Sequence, residues 1–215
     1  MICVSLSKMD FETCLAWTQK ADALELRLDL LDPLSPEQMQ AVTASGAQWI
    51  ATCRPGSMDE ETRYACLSQA IVCGATFVDV EYEAGKDYRE ALMHTARQFS
   101  CNVIMSYHDT EKTPDATALK RLVRECFNRG ADYVKVVTTV QSEADEAVVL
   151  GLYDHFDQLM AFGMGEHSRA LRIKAAPKSV FTYVAPDADH LTAPGQILWQ
   201  EALDLQLDRA DENQD

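Results

Sequence analysis

Short apolar runs alternate along the chain with stretches whose apolar residues recur at helical spacing, and the alternation repeats about every 27 residues. The runs are ICVSLS, ALELRLDLL, WIATCRP, TFVDVEYE, NVIMSYHD, DYVKVVTTV, LMAFGM and VFTYVAP, eight strand candidates. Between them DFETCLAWTQKA, SPEQMQAVTASG, DEETRYACLSQAIVCG, DYREALMHTARQF, ATALKRLVRECFNRG and EADEAVVLGLYDHF predict helices. A last helix is predicted from about Gln196 through LWQEALDLQL. Gly46, Gly74 and Gly130 stand where helix C-termini need a left-handed residue. Strands that alternate with helices pair in parallel through right-handed crossovers. Eight such units without a linker predict a single α/β domain over 1–207, a (β/α)8 TIM barrel at the small end for that fold. An open doubly wound sheet is the alternative. The segment after the first run, SLSKMD, lacks G-x-G-x-x-G, so a dinucleotide site has no support. The polar stretch DRADENQD, 208–215, predicts a disordered tail.

Composition narrows the function. No apolar run is long enough to span a membrane, and MICVSLSKMDFETC has neither the basic start nor the apolar stretch of a signal peptide, so a cytoplasmic protein is expected. Seven cysteines without C-x-x-C spacing predict neither a disulfide framework nor a zinc site; buried packing is expected of them. A formal charge of −15 disfavours nucleic acid as a partner. It also repels small anions at long range, so a pocket for an anionic substrate must gather its own cations.

Those cations stand inside the strands. Strands of a parallel barrel are covered on one side and packed on the other, and should read as continuous apolar runs. In ALELRLDLL, Leu24, Leu26, Leu28 and Leu30 alternate with Glu25, Arg27 and Asp29, which puts the leucines on one face and the charges on the other. An edge strand with a wet face would read the same way. The pattern recurs, however, with Asp79 and Glu81, with Ser106 and His108, with Lys135 between Val134 and Val136, and with Arg54 at the end of WIATCRP. The charges gather toward strand C-terminal ends, where barrel enzymes build their active sites. A lysine inside an apolar strand is costly unless it is paired, solvated or neutral. A snorkelling or ion-paired Lys135 is the bland reading. The sharper one is a lysine nucleophile, with Arg27, Arg54 and Arg169 as candidates to lower its pKa, and His108 as the group that moves protons near neutral pH.

ELRLD, TCRP, SYHDTEKTP, DYVKVVT, GEHSR and TAPGQI occur in this order. Together these blocks resemble the signature of type I 3-dehydroquinate dehydratase, and the resemblance runs from ICVSL to APGQI. It implies syn elimination of water from 3-dehydroquinate to 3-dehydroshikimate, the third step of the shikimate pathway, with no metal and no diffusible cofactor. By resemblance Lys135 forms an imine with the substrate ketone and His108 is the acid and base. Glu25, Arg27, Arg54, Arg169, Thr192, Gln196 and, more weakly, Ser5 are implied in substrate binding, with Arg169 on the carboxylate and Met164 and Phe181 as apolar walls. A homodimer is also implied. Three departures stand out. PGSMDEETR lacks the K-x-G-G-E loop that carries the glutamate orienting the histidine, which leaves Asp59, Glu60 and Glu81 as alternatives. Thr192 replaces a serine. The chain is shorter than many relatives, which leaves trimmed helices, a truncated piece or a domain of a fused protein open.

A class I aldolase is the runner-up, since it shares the lysine logic; the H-D-x-x-x-T-P and A-P-G-Q blocks argue against it. A barrel that has lost activity and only binds a metabolite or a partner is the non-enzyme alternative.

Overall fold

The computed structural model describes residues 1–56, 58–165 and 168–207. The predicted tail at 208–215, and the Glu166–His167 pair within GEHSR, lie outside the described residues. The order is β1 (Ile2–Leu6), α1 (Phe11–Trp17), β2 (Ala23–Arg27), α2 (Pro36–Ala44), β3 (Gln48–Thr52), α3 (Glu60–Val72), β4 (Phe77–Glu81), α4 (Lys86–Gln98) and β5 (Asn102–Asp109). It continues with α5 (Ala116–Asn128), β6 (Tyr133–Thr139), α6 (Glu143–Leu150), β7 (Leu159–Met164), α7 (Ser168–Ala175), β8 (Thr182–Ala185), β9 (Ile197–Leu198) and α8 (Trp199–Asp204).

The chain forms two compact units, one of Cys3–Ile104 and one of Met1–Ile2 with Met105 onward. In the N-terminal unit β1, β2, β3 and β4 pair in parallel, with Ser5 beside Glu25 and Arg27 beside Thr52. Trp49, Leu24, Leu26, Met39, Ile50, Leu67 and Ile71 make its core, all fully buried. In the C-terminal unit β6 pairs in parallel with β7, Lys135 opposite Met160, and β8 pairs in parallel with β9. No ladder joins β7 to β8 among the described residues; one backbone bond, Val180 N–H to Leu159 O at 3.2 Å, links their starts.

The helices begin where their caps say. Asp10, Ser35, Asp59, Asp115 and Ser142 each accept a backbone N–H of the first turn. Ser35 and Gln38 close a full capping box ahead of Pro36. Gly46, Gly74 and Gly130 all have the positive φ expected of them.

The elements depart from expectation in four places, the first being the last helix, which begins at Trp199 and not at Gln196 because Ile197 and Leu198 pair with β8 as β9. ALELRLDLL is a strand only to Arg27; Leu28 and Leu30 turn back on Leu26 and Arg27 through backbone bonds of 3.0 and 2.8 Å, so Asp29 stands past the strand. The helix after β6 stops at Leu150, because Gly151 takes the C-cap and the chain turns. Helix α7 was not foreseen, because SRALRIKA mixes charge into a short segment; the structure buries Leu171 and Arg172 on one side of it. Gly163 permits that packing: a Cβ there would stand 2.9 Å from Ser168 Cβ and 2.8 Å from Val140 Cγ2.

Candidate active site

In the N-terminal unit the strand charges are neutralised by one another. Glu25 is buried and accepts from Ser5 Oγ and, at 3.0 Å, from Thr52 Oγ1. Arg27 donates twice to Asp29, at 3.0 and 2.7 Å. Burial works against its charge, but the Asp29 bonds and the Glu25 field hold its pKa above the ordinary value. Arg54 donates to Asp79 at 2.6 Å and to Glu81 at 3.2 Å. Burial opposes its charge too, and the two carboxylates more than offset that, so its pKa is raised. Arg63, on α3, completes the cluster with bonds to Glu81 at 2.7 Å and to the Cys53 carbonyl at 3.0 Å.

The sequence reading missed Asp79 as the partner of Arg54, and Arg63 altogether, because an arginine in a charged helix gives no sign that it turns inward. Of the three acids considered for His108, Glu81 already accepts from two arginines. Asp59 spends an oxygen on the Thr62 N–H at 2.7 Å, which lowers its pKa.

In the C-terminal unit Lys135 is only 5% exposed, with Val134 and Val136 fully buried on either side. Its Nζ lies 3.9 Å from the ring centroid of Tyr183, a cation–π distance. Tyr183 stacks at 5.7 Å on Phe162 and at 6.4 Å on Phe181, and its hydroxyl reaches Met160 Sδ at 3.7 Å. His108 is half-buried near the end of β5, the strand beside β6.

The H-D-x-x-x-T-P block joins those two strand ends. Asp109 Oδ1 accepts from the N–H groups of Glu111 and Lys112, both at 3.0 Å, and Tyr107 donates to Oδ2 at 3.3 Å. Burial opposes the charge of Asp109, and these donors prevail, so its pKa falls. Thr113 Oγ1 donates to the Thr139 carbonyl at 2.9 Å and meets Thr138 Oγ1 at 2.9 Å; Thr139 Oγ1 returns a bond to the Asp109 carbonyl at 3.2 Å. The position of His108 relative to β6 is thereby held by hydrogen bonds on both strands.

Gly195 brings the A-P-G-Q loop onto the start of α7. Its φ of +77° suits glycine, and a Cβ would stand 2.8 Å from the Gly165 carbonyl. Gln196 is buried and accepts from Thr192 N at 2.9 Å and Thr192 Oγ1 at 3.1 Å. Arg169 pairs with Glu201 and keeps 49% of its side chain exposed. Met164 is half-buried at the end of β7, and Phe181 is buried. Tyr183, which the sequence reading passed over, makes the documented contact with Lys135.

A parallel β/α chain with a buried lysine on one strand is of the TIM-barrel-like class of α/β enzymes. The family pattern of type I 3-dehydroquinase matches residues 2–207, nearly the whole described chain. The chain is 31% identical to the 3-dehydroquinate dehydratase of Desulfotalea psychrophila over 93% of its own length and 94% of that protein. It shares its fold with the type I 3-dehydroquinate dehydratase of Clostridium difficile, at TM-score 0.83 and 19% identity over 96% of this chain and 91% of that one. The same holds for the Aquifex aeolicus 3-dehydroquinate dehydratase, at TM-score 0.83 and 24% identity over 98% and 99%. This chain belongs to the type I 3-dehydroquinase family. The family's reaction is a dehydration, which makes the protein a hydro-lyase, and neither the doubly wound sheet nor an aldolase family is its place.

Proposed function

We propose that the chain converts 3-dehydroquinate to 3-dehydroshikimate on one (β/α)8 domain spanning 1–207, with Lys135 as nucleophile and His108 as acid and base. The observation that carries this reading is the Lys135 amine, buried in an apolar strand and lying over the Tyr183 ring. The neutral amine is the form that attacks a ketone.

The steps follow from the chemistry of an imine. The Lys135 amine adds to the C3 carbonyl and water leaves, with His108 carrying the protons. The protonated imine draws electrons from the adjacent C2–H bond. His108 takes that proton, the electron pair forms the C1–C2 double bond, and hydroxide departs from C1 with a proton returned by His108. Hydrolysis of the imine releases the conjugated enone. No cofactor is consumed, because the covalent lysine adduct is itself the electron sink.

Glu25, Arg27, Arg54, Thr192, Gln196 and Ser5 are assigned to the substrate's hydroxyls and carboxylate, with Arg169 as the carboxylate partner, since a guanidinium fork fits a carboxylate. The enzyme is placed in the cytoplasm as a homodimer, with neither nucleic acid nor membrane as a partner; among the described residues no helix is long and apolar enough to cross a membrane. Borohydride added during turnover of 3-dehydroquinate should leave a reduced adduct on Lys135, with enone absorbance rising before the quench. Folded protein that shows neither the absorbance nor the adduct would overturn the assignment.

A further inference from the structure

Arg172, on the inner side of α7, is 5% exposed. Its guanidinium lies flat against an aromatic wall, with Cζ 4.6 Å from the centroid of Phe162. Its Nε has no hydrogen-bond partner, and among the described residues no carboxylate pairs with the side chain. Burial pulls its pKa down only to about 10, so it stays protonated at neutral pH.

A small pocket, half open to solvent, lies at this side chain, lined also by Ala175, Ala176, Ser179, Thr182 and the Phe162–Phe181–Tyr183 ring cluster. The Thr182 hydroxyl, on a residue 5% exposed, likewise has no partner. Ser179 Oγ, by contrast, is spent on the Phe181 carbonyl at 2.8 Å. Among the described residues, a buried cation and a buried hydroxyl donor thus line one pocket, and neither has a partner at Arg172 Nε or Thr182 Oγ1. Water could satisfy the hydroxyl. It would leave the charge uncompensated, and a buried charge without a counter-charge is the costlier defect.

We propose that Arg172 and Thr182 form an internal site for one small monovalent anion of halide size, seated between α7 and the start of β8. The guanidinium supplies the charge and Nε–H, and Thr182 supplies an O–H. Bound anion fastens α7 onto the strands beneath it, on a pocket that shares the Tyr183 ring with Lys135.

The test measures thermal unfolding of the full chain at constant ionic strength while sodium chloride replaces sodium gluconate, an anion too large for the cavity. Wild type should gain about 3–6 °C once chloride is about tenfold above its dissociation constant, and the gain should saturate. Arg172→Met keeps the stem against Phe162 and removes the charge; it should be at least as stable as wild type in gluconate and insensitive to chloride. A wild-type midpoint indifferent to chloride overturns the proposal, as does an Arg172→Met midpoint that still climbs with it. If Arg172→Met does not fold, Arg172→Lys decides: a response needing about tenfold more chloride supports the site, and an unchanged half-saturation point overturns it. Because the readout is stability, the result is independent of the dehydratase reading.

Discussion

The two units set different neighbours beside their buried cations. In the N-terminal unit Arg54 and Arg63 meet Asp79 and Glu81 at 2.6–3.2 Å, and Arg63 also holds the Cys53 carbonyl. In the C-terminal unit Lys135 and Arg172 lie over the faces of Tyr183 and Phe162 at 3.9 and 4.6 Å. A carboxylate fixes an arginine's charge and its direction. An aromatic face holds a cation more weakly, about 0.5–2 kcal/mol, and accepts no proton. The first arrangement suits a scaffold that presents strand ends. The second sets an aromatic ring beside the amine proposed to form the covalent bond.

Substitutions can break that contrast. The largest effect is expected at Lys135. Lys135→Ala should abolish the borohydride adduct and bring turnover to background. Substantial turnover in that variant would show the aromatic-lined lysine to be structural. His108→Ala should lower turnover on the order of 10²–10⁴-fold, the scale of general acid–base groups. Adduct should still form, slowly, since the amine is intact. A near-normal rate would remove His108 from the reaction.

Arg63→Met tests the other unit. It strips a buried charge partner from Glu81 and leaves the Cys53 carbonyl short of two donors. Arg54 still faces Glu81, so a loss of about 3 kcal/mol is expected, the low end for breaking a buried pair. That corresponds to a midpoint lower by about 6–12 °C. If the midpoint barely moves while turnover falls steeply, the acid–arginine cluster is chemical rather than structural, and the contrast between the units dissolves.

Legibility in the sequence follows the same division. Lys135 and Glu25 could be picked out because a charge inside an apolar strand is visible, and Arg54 because it closes an apolar run, two residues past β3. The helices were found near their starts because their apolar residues recur at helical spacing; Asp10, Ser35, Asp59, Asp115 and Ser142 cap those starts in the structure. Arg63 and Arg172 were invisible: on a helix with charges on several sides, nothing local says which arginine turns inward, and only tertiary packing decides. Tyr183 was hidden differently, since an aromatic in an apolar strand reads as core until its neighbour is known to be a lysine. The functional roles themselves came from the ordered motif blocks, not from periodicity.

The smallest expected effect separates charge from hydrogen bonding at the turn behind His108. Asp109 accepts from two backbone N–H groups, and its pKa is depressed in the folded state. A depressed carboxyl stabilises the fold above its unfolded pKa of about 3.9, and that contribution is lost as pH falls through the folded value. Asp109→Asn keeps an acceptor oxygen and removes the charge. At pH 7 it should cost about 0.5–1 kcal/mol, the difference between charged and neutral acceptors. In urea unfolding from pH 7 to pH 3, the gap between wild type and variant should narrow below about pH 4. A gap that stays constant would mean that the turn needs the shape of Asp109 and not its charge.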